Sequence, residues 1–145
     1  MLKYLINLFF PEVCCGCNMP LLEHEKLLCD SCINNLPINI YDSDNNPVYN
    51  VLKSNKKINK ASYLLDFRKH GIVQSIIHKL KYKNNKEIGV FLGSLAVQKI
   101  PDVFKDIDVI IPVPLHKKKY NKRGYNQSVW IAQGIAKLTK LPIVE

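Results

Sequence analysis

Residues 14–32 read CCGCNMPLLEHEKLLCDSC and contain two Cys-x-x-Cys pairs, with eleven residues, 18–28, between them. The pairs are Cys14 with Cys17 and Cys29 with Cys32. Four thiolates at this spacing can close a tetrahedral zinc site across one short loop. Because four protein ligands leave no open coordination position, the sequence predicts a structural zinc ion rather than a catalytic one.

Two other uses of the cysteines, disulfides and a redox dithiol, fit the sequence less well than zinc. A disulfide within one Cys-x-x-Cys pair would close a strained ring, and nothing in the sequence indicates secretion. A redox dithiol would leave the second pair unexplained and lacks the preceding strand of a thioredoxin-like unit. Gly16 suits a tight turn whose N–H groups point at sulfur, and Cys15 is interpreted as a bystander.

Composition limits the class of protein and of partner. The chain has 145 residues, 47% of them hydrophobic, which is enough for one ordinary domain with a small appendage. Lys and Arg number 21 against 12 Asp and Glu, a formal charge of +9. This excess favours phosphate-bearing partners, either nucleic acid or a phosphorylated small molecule.

The first ten residues are apolar but too few to cross a bilayer, and no small-residue cleavage site precedes Pro11. Their apolar positions recur with helical spacing. We therefore predict a short amphipathic helix that packs on the protein itself rather than on a membrane. The expected location is the cytoplasm.

Helical periodicity recurs in three later segments. The first begins at residue 70 and ends before Asn84-Asn85, and the second covers residues 86–100 and is ended by Pro101. The third follows Asn126, a good N-cap, and ends near Lys140. Residues 34–59 are rich in Asn, Asp, Ser and Pro and are interpreted as a linker.

Apolar extended segments flank the third helix. Residues 108–113, DVIIPV, read as a central strand of a parallel sheet buried on both faces, and residues 141–144 begin another extended run. Residues 61–67 could form a further strand, and residues 112–125 read as a loop. Strand, loop, helix and strand predict an α/β fold, incomplete here, so we expect the chain to be the front part of a larger protein. The predicted division is residues 1–50 and 51–145.

The basic residues are unevenly distributed. Residues 67–86 contain no acid, and neither do residues 109–144, where five cations crowd one loop. In an open α/β sheet that loop would lie where anions bind, so it favours phosphate over simple solvation. Lys56, Lys57 and Lys60 are interpreted as solvated surface.

Taken together, these segments resemble the ComF family of phosphoribosyltransferase-like competence proteins. The resemblance rests on the apolar start leading into Pro11, the double Cys-x-x-Cys module and three motifs: HKLKY at 78–82, IPVPLH at 111–116 and RGYNQ at 123–127. Tyr125 is a departure, since the family usually has Phe there. The family's signature of two adjacent acids and a Thr-Thr-Gly turn is absent.

The resemblance implies an N-terminal zinc-ribbon-like module followed by an incomplete type I phosphoribosyltransferase-like parallel sheet with helices. Phosphoribosyl pyrophosphate with Mg²⁺ would bind only in a complete protein, and this chain should not catalyse transfer. The residues that would face phosphate are Lys81, Arg123, Gly124, Asn126 and Gln127.

The resemblance also implies a role in natural transformation, with single-stranded DNA and proteins of the competence machinery as partners. Basic and aromatic side chains suit the backbone and bases of single strands. Packing within the protein is the alternative to stacking on a base for Tyr82, Tyr120 and Tyr125. The sequence favours packing for Tyr82. The predicted nucleic-acid contacts are Lys117, Lys118, Lys119, Lys122 and Tyr125. A phosphoribosyltransferase completed by further sequence is the alternative function.

Overall fold

A computed structural model describes residues 11–39 and 46–145, and within these ranges the regular structure is helical. Isolated β-bridges pair Val13 with Pro20, Ile38 with Leu65 and Ile110 with Ile143. The predicted helix over residues 1–10 lies outside the described residues. The helices are α1 Asp30–Asn34, α2 Pro47–Leu52, α3 Ile72–Tyr82, α4 Lys86–Lys99, α5 Lys117–Arg123 and α6 Gln127–Thr139, with a 3-10 helix at Pro101–Phe104.

The predicted α/β fold is wrong, because the described residues contain no β-strand and therefore no parallel sheet. Residues 108–113 and 141–144 meet only in the parallel Ile110–Ile143 bridge, where Ile110 N–H donates to Pro142 at 2.9 Å. A parallel sheet needs cover on both faces. Here Ile111 and Val113 are 71% and 72% exposed, so the apolar run that suggested a buried strand lies on the surface.

The ribbon-like description of the cysteine module is also wrong. One antiparallel bridge, Val13 with Pro20, stands where a ribbon would have paired strands, and the second cysteine pair leads into helix α1. The predicted strand over residues 61–67 is likewise a single bridge, between Leu65 and Ile38. Period-2 patterns this short do not form a ladder without neighbouring strands.

The three periodic helices are confirmed as α3, α4 and α6. Asn126 caps α6 as predicted, since its Oδ1 accepts from the backbone N–H of Ser128 at 3.1 Å. Three short α-helices were not predicted: α1, which begins within the second cysteine pair, α2 and α5. α2 lies in the predicted linker, where the Asn46 side chain caps a helix that begins at Pro47. α5 lies in the predicted loop, capped by the His116 side chain.

Helices α4 and α6 pack with their backbones in direct contact. A Cβ at Gly134 would lie 2.9 Å from Cα of Val90, and a Cβ at Gly93 would lie 3.0 Å from Cα of Gly134. Ser94 Oγ adds a bond to the carbonyl oxygen of Gly134 at 3.1 Å. The glycines permit this approach because no side chain stands between the helices.

One hydrophobic cluster joins the cysteine module to the helices. It crosses the boundary predicted near residue 50. Burying each large aliphatic side chain in it stabilises the fold by about 1.5–3 kcal/mol. The buried members of the cluster are Cys14, Cys15, Leu28, Cys32, Leu36, Ile76, Leu80, Ile88, Leu92 and Tyr125.

Among the described residues, none of the helices has the length and apolarity needed to cross a bilayer.

Candidate metal centre

The four predicted ligand cysteines meet at one point. Sγ atoms of Cys14, Cys17, Cys29 and Cys32 all lie within 4.8 Å of one another, and those of Cys17 and Cys29 are 3.7 Å apart. A tetrahedral zinc with bonds of about 2.3 Å to sulfur places its ligands about 3.8 Å apart. The four thiols can therefore bind a metal such as zinc with little movement.

The first cysteine pair is held by a tight turn around the sulfur of Cys14. Backbone N–H groups of Gly16 and Cys29 each donate to this sulfur at 3.3 Å. A Cβ at Gly16 would lie 2.8 Å from the sulfur of Cys32, so only glycine leaves room for the second pair. Gly16 therefore lies in the tight turn that the sequence predicts, with its N–H pointing at sulfur. Glycine is needed there because the sulfur of Cys32 lies so close to its Cα.

The second pair is placed by a helix. Cys29 is the N-cap of α1, and its carbonyl oxygen accepts from Ile33 N–H at 3.0 Å. Cys32, one turn into α1, is thereby turned back toward Cys14. Cys14 is fully buried and Cys32 nearly so, whereas Cys17 is exposed. The centre thus lies at the surface with two of its sulfurs in the core.

The pKa values of the thiols differ because their surroundings differ. Burial disfavours the thiolate of Cys14, but backbone N–H groups of Cys17, Cys29 and Gly16 outweigh it and lower the pKa to about 6. Burial, followed by the neighbouring thiols, raises the pKa of Cys32 far above its ordinary range. Four thiolates this close repel one another, so a bound cation is what would allow all four to ionise.

Cys15 belongs to the core and not to the cluster of four. Its side chain is 5% exposed, and burial raises the pKa of its thiol. Its backbone carbonyl accepts from Ser75 Oγ of α3 at 2.9 Å. The interpretation of Cys15 as a bystander to the metal centre agrees with this position.

A second group of possible ligands, His24, Glu25 and Asp30, lies in the loop between the cysteine pairs. The Glu25 carboxylate accepts from the N–H groups of Leu22 and Asp30 at 2.7 and 2.8 Å, and His24 Nε2 lies 3.1 Å from an Asp30 oxygen. These bonds fasten the loop, and they account for the carboxylates without a metal. Sequence reasoning did not identify this arrangement.

The predicted phosphate-facing residues cluster around the α5–α6 turn, apart from Lys81 on α3. Gly124 ends α5 with φ of 76°, a left-handed conformation. Asn126 caps α6 and also donates from Nδ2 to Val113 at 3.0 Å. Gln127 is 7% exposed and accepts from Arg123 at 2.8 Å. Gly124, Asn126 and Gln127 thus have structural roles in the turn.

Most of the predicted nucleic-acid contacts are available, but Tyr125 is not. Lys117, Lys118, Lys119 and Lys122 are exposed along α5. Tyr125 is 4% exposed, and its hydroxyl donates to the carbonyl oxygen of Leu80. A base could not stack on its ring without pulling it out of the core, so the prediction for Tyr125 is wrong.

Two aromatic rings face solvent near these cations, Tyr82 and Tyr120, and of the two Tyr82 has cations against its ring. Tyr82 is 49% exposed, with the Arg123 guanidinium 5.4 Å and the Lys122 ammonium 5.9 Å from its ring centroid. The sequence favoured packing for Tyr82. The only signal against packing was its position at the end of α3, among lysines.

Comparison with protein-family models, with curated proteins and with solved structures finds no match to this chain.

Proposed function

We propose that this chain is a zinc-stabilised nucleic-acid-binding protein of the ComF type, which handles single-stranded DNA in the cytoplasm during natural transformation. The motifs at 78–82, 111–116 and 123–127 support the family, and the basic surface supports the ligand. The observation that carries the proposal is α5, a surface helix of sequence KKKYNKR with no acid on it or near it in sequence.

The positive charge on the surface formed by α3, α5 and α6 is not neutralised by an ion pair within the described parts of the chain. The ion pairs found there join His24 with Asp30 and Lys105 with Asp102, and neither involves α3, α5 or α6. Those three helices contain no Asp or Glu. A row of cations without acidic neighbours attracts a polyanion and releases its counterions on binding.

The zinc ion would have a structural role. Four cysteines complete its tetrahedral shell, so no position is left for a substrate or a water. Two of the four sulfurs belong to the hydrophobic cluster, which ties the metal to the packing of α3. A reducing compartment such as the cytoplasm would keep the thiols free to bind it.

Transferase activity is not favoured by this architecture. A parallel sheet would have supplied strand ends over which a sugar phosphate could sit. The described residues contain no such sheet. The basic helix, by contrast, needs no sheet to contact a nucleic-acid backbone.

Fluorescence anisotropy with a labelled single-stranded oligomer, at several salt concentrations, tests the proposal. Affinity should fall steeply with salt, and Lys117/Lys118/Lys119→Ala should flatten the slope by roughly two to three in log K against log salt. The matched control, Lys56/Lys57/Lys60→Ala, removes the same charge from exposed lysines elsewhere and should leave most of the slope. Equal slopes for the two triple variants, or no binding by the unmodified chain, would refute the proposal.

A further inference from the structure

The ring of Tyr82 is half exposed and lies beside two cations from another helix. Arg123 and Lys122, in the last turn of α5, lie 5.4 and 5.9 Å from its centroid. One turn earlier on α3, the exposed His78 ring lies 4.9 Å away at an angle of 45°. A hydrogen bond from Arg123, followed by its charge, lowers the pKa of the Tyr82 phenol. The local potential is therefore positive.

This arrangement is held in place by the core beneath it. Tyr125 is buried next to the turn that follows α5, and its hydroxyl bonds to the carbonyl of Leu80, two residues before Tyr82. Arg123 is further fixed by its bond to Gln127 at 2.8 Å. The Arg123 guanidinium and the ring thus keep their relative positions without a ligand, which reduces the ordering cost of binding.

We propose that Tyr82, with His78, Lys122 and Arg123, forms a binding site for one unpaired nucleobase and its phosphate, which we term the Tyr82 platform. This inference rests on the proposed nucleic-acid function and adds the residue that selects single strands. The aromatic rings offer stacking, and the two cations offer charge-assisted bonds to the phosphate of the same nucleotide.

The chemistry of the platform distinguishes single strands from duplexes. In a duplex each base is already stacked between its neighbours, so its face is not available to a protein ring. The lysines of α5 can contact the phosphates of either form, but Tyr82 can gain only from a base that is free. The platform therefore favours flexible single strands over double-stranded DNA of equal charge.

The test compares a thymidine oligomer with an abasic oligomer of equal length, using the full chain with its metal bound. Fluorescence anisotropy should show about tenfold weaker binding of the abasic oligomer, the size of one lost base–aromatic stack. Tyr82→Leu should weaken binding of the thymidine oligomer by a similar factor and leave the abasic oligomer unaffected. Tyr82→Phe, which keeps the ring, should behave like the unmodified chain.

Tyr120→Leu is the matched control. Tyr120 is also 49% exposed and lies on α5 among the same lysines, without a cation over its ring in the described contacts. Tyr120→Leu should bind each oligomer within about twofold of the affinity of the unmodified chain. Even if Tyr82→Leu does not fold, the affinities of the unmodified chain for the two oligomers show whether a base contributes to binding. Equal affinities refute the platform.

The outcomes separate the platform from the function on which it rests. If neither oligomer binds, both the proposed function and the platform are refuted. If both bind equally, or if Tyr82→Leu and Tyr120→Leu behave alike, the platform is refuted and nucleic-acid binding stands. Thymidine monophosphate that binds as tightly as the oligomer would overturn the assignment of the site to a strand.

Discussion

Lys79 on α3 donates from Nζ to the backbone carbonyl oxygen of Cys14 at 2.8 Å, across 65 residues of sequence. The same ammonium group donates to Oδ1 of Asn18 at 2.6 Å. One side chain therefore spans the turn of the first cysteine pair and holds it on the helix that ends at Tyr82. The metal centre and the proposed nucleic-acid surface are linked through α3.

Replacing Lys79 should weaken this link without removing a metal ligand. Lys79→Met keeps much of the aliphatic stem but leaves the Cys14 carbonyl and Asn18 without their donor. We expect the free energy of unfolding in urea to fall by about 1–3 kcal/mol, with zinc content unchanged. Lys83→Met, an exposed lysine just after α3, is the control and should be within about 0.5 kcal/mol of the unmodified chain. Equal midpoints for the two variants would show that the Lys79 bonds contribute nothing.

Replacing one ligand should release the metal. Cys29→Ser removes one of four sulfurs, and because structural zinc supplies folding energy directly, we expect lost zinc together with a lower melting temperature. Cys15→Ser is the control: it should lower stability through its buried position but retain zinc. Atomic absorption on the purified variants measures the content. A full equivalent of zinc in Cys29→Ser would contradict the four-sulfur centre.

Proton release on zinc binding should depend on pH through Cys14. Its pKa is lowered from 9.0 to about 6 in the metal-free fold. Its thiolate therefore stabilises that fold fully above pH 9, and the contribution is lost as pH falls toward 6. Zinc then displaces almost no proton from Cys14 at pH 7.5 but about three-quarters of a proton at pH 5.5.

Calorimetry in buffers of different ionisation enthalpy counts these protons. We expect about 0.7 more proton released per chain at pH 5.5 than at pH 7.5. The same number at both values would mean that the turn around Cys14 does not form before the metal binds.

Much of the local structure could be predicted from the sequence, because it depends on residues close together in the chain. Two Cys-x-x-Cys pairs bring four sulfurs together through short turns, and the helical spacing of apolar residues predicted α3, α4 and α6. Gly89 and Gly93, four residues apart on α4, are a further signal in the sequence for close helix packing.

The errors arose where a pattern fits two environments. The run over residues 108–113 has the composition of a buried strand, but burial depends on what lies on either side, and Ile111 faces solvent. For the same reason Tyr125, expected at the surface, is buried, and Tyr82, expected to pack, is half exposed. Tyr125 packs against α3, whereas Tyr82 lies at the end of that helix, where half of its surface stays exposed.

The four clustered cysteines, the three long helices and the excess of positive charge could all be read from the sequence, since each follows from residue type and short-range spacing. Long-range packing was needed to establish that the cysteines share a core with α3, that no sheet forms in the described residues, and that Tyr82 rather than Tyr125 is exposed beside Lys122 and Arg123. These features depend on contacts between segments distant in the chain, and those contacts determine which apolar surfaces are removed from water.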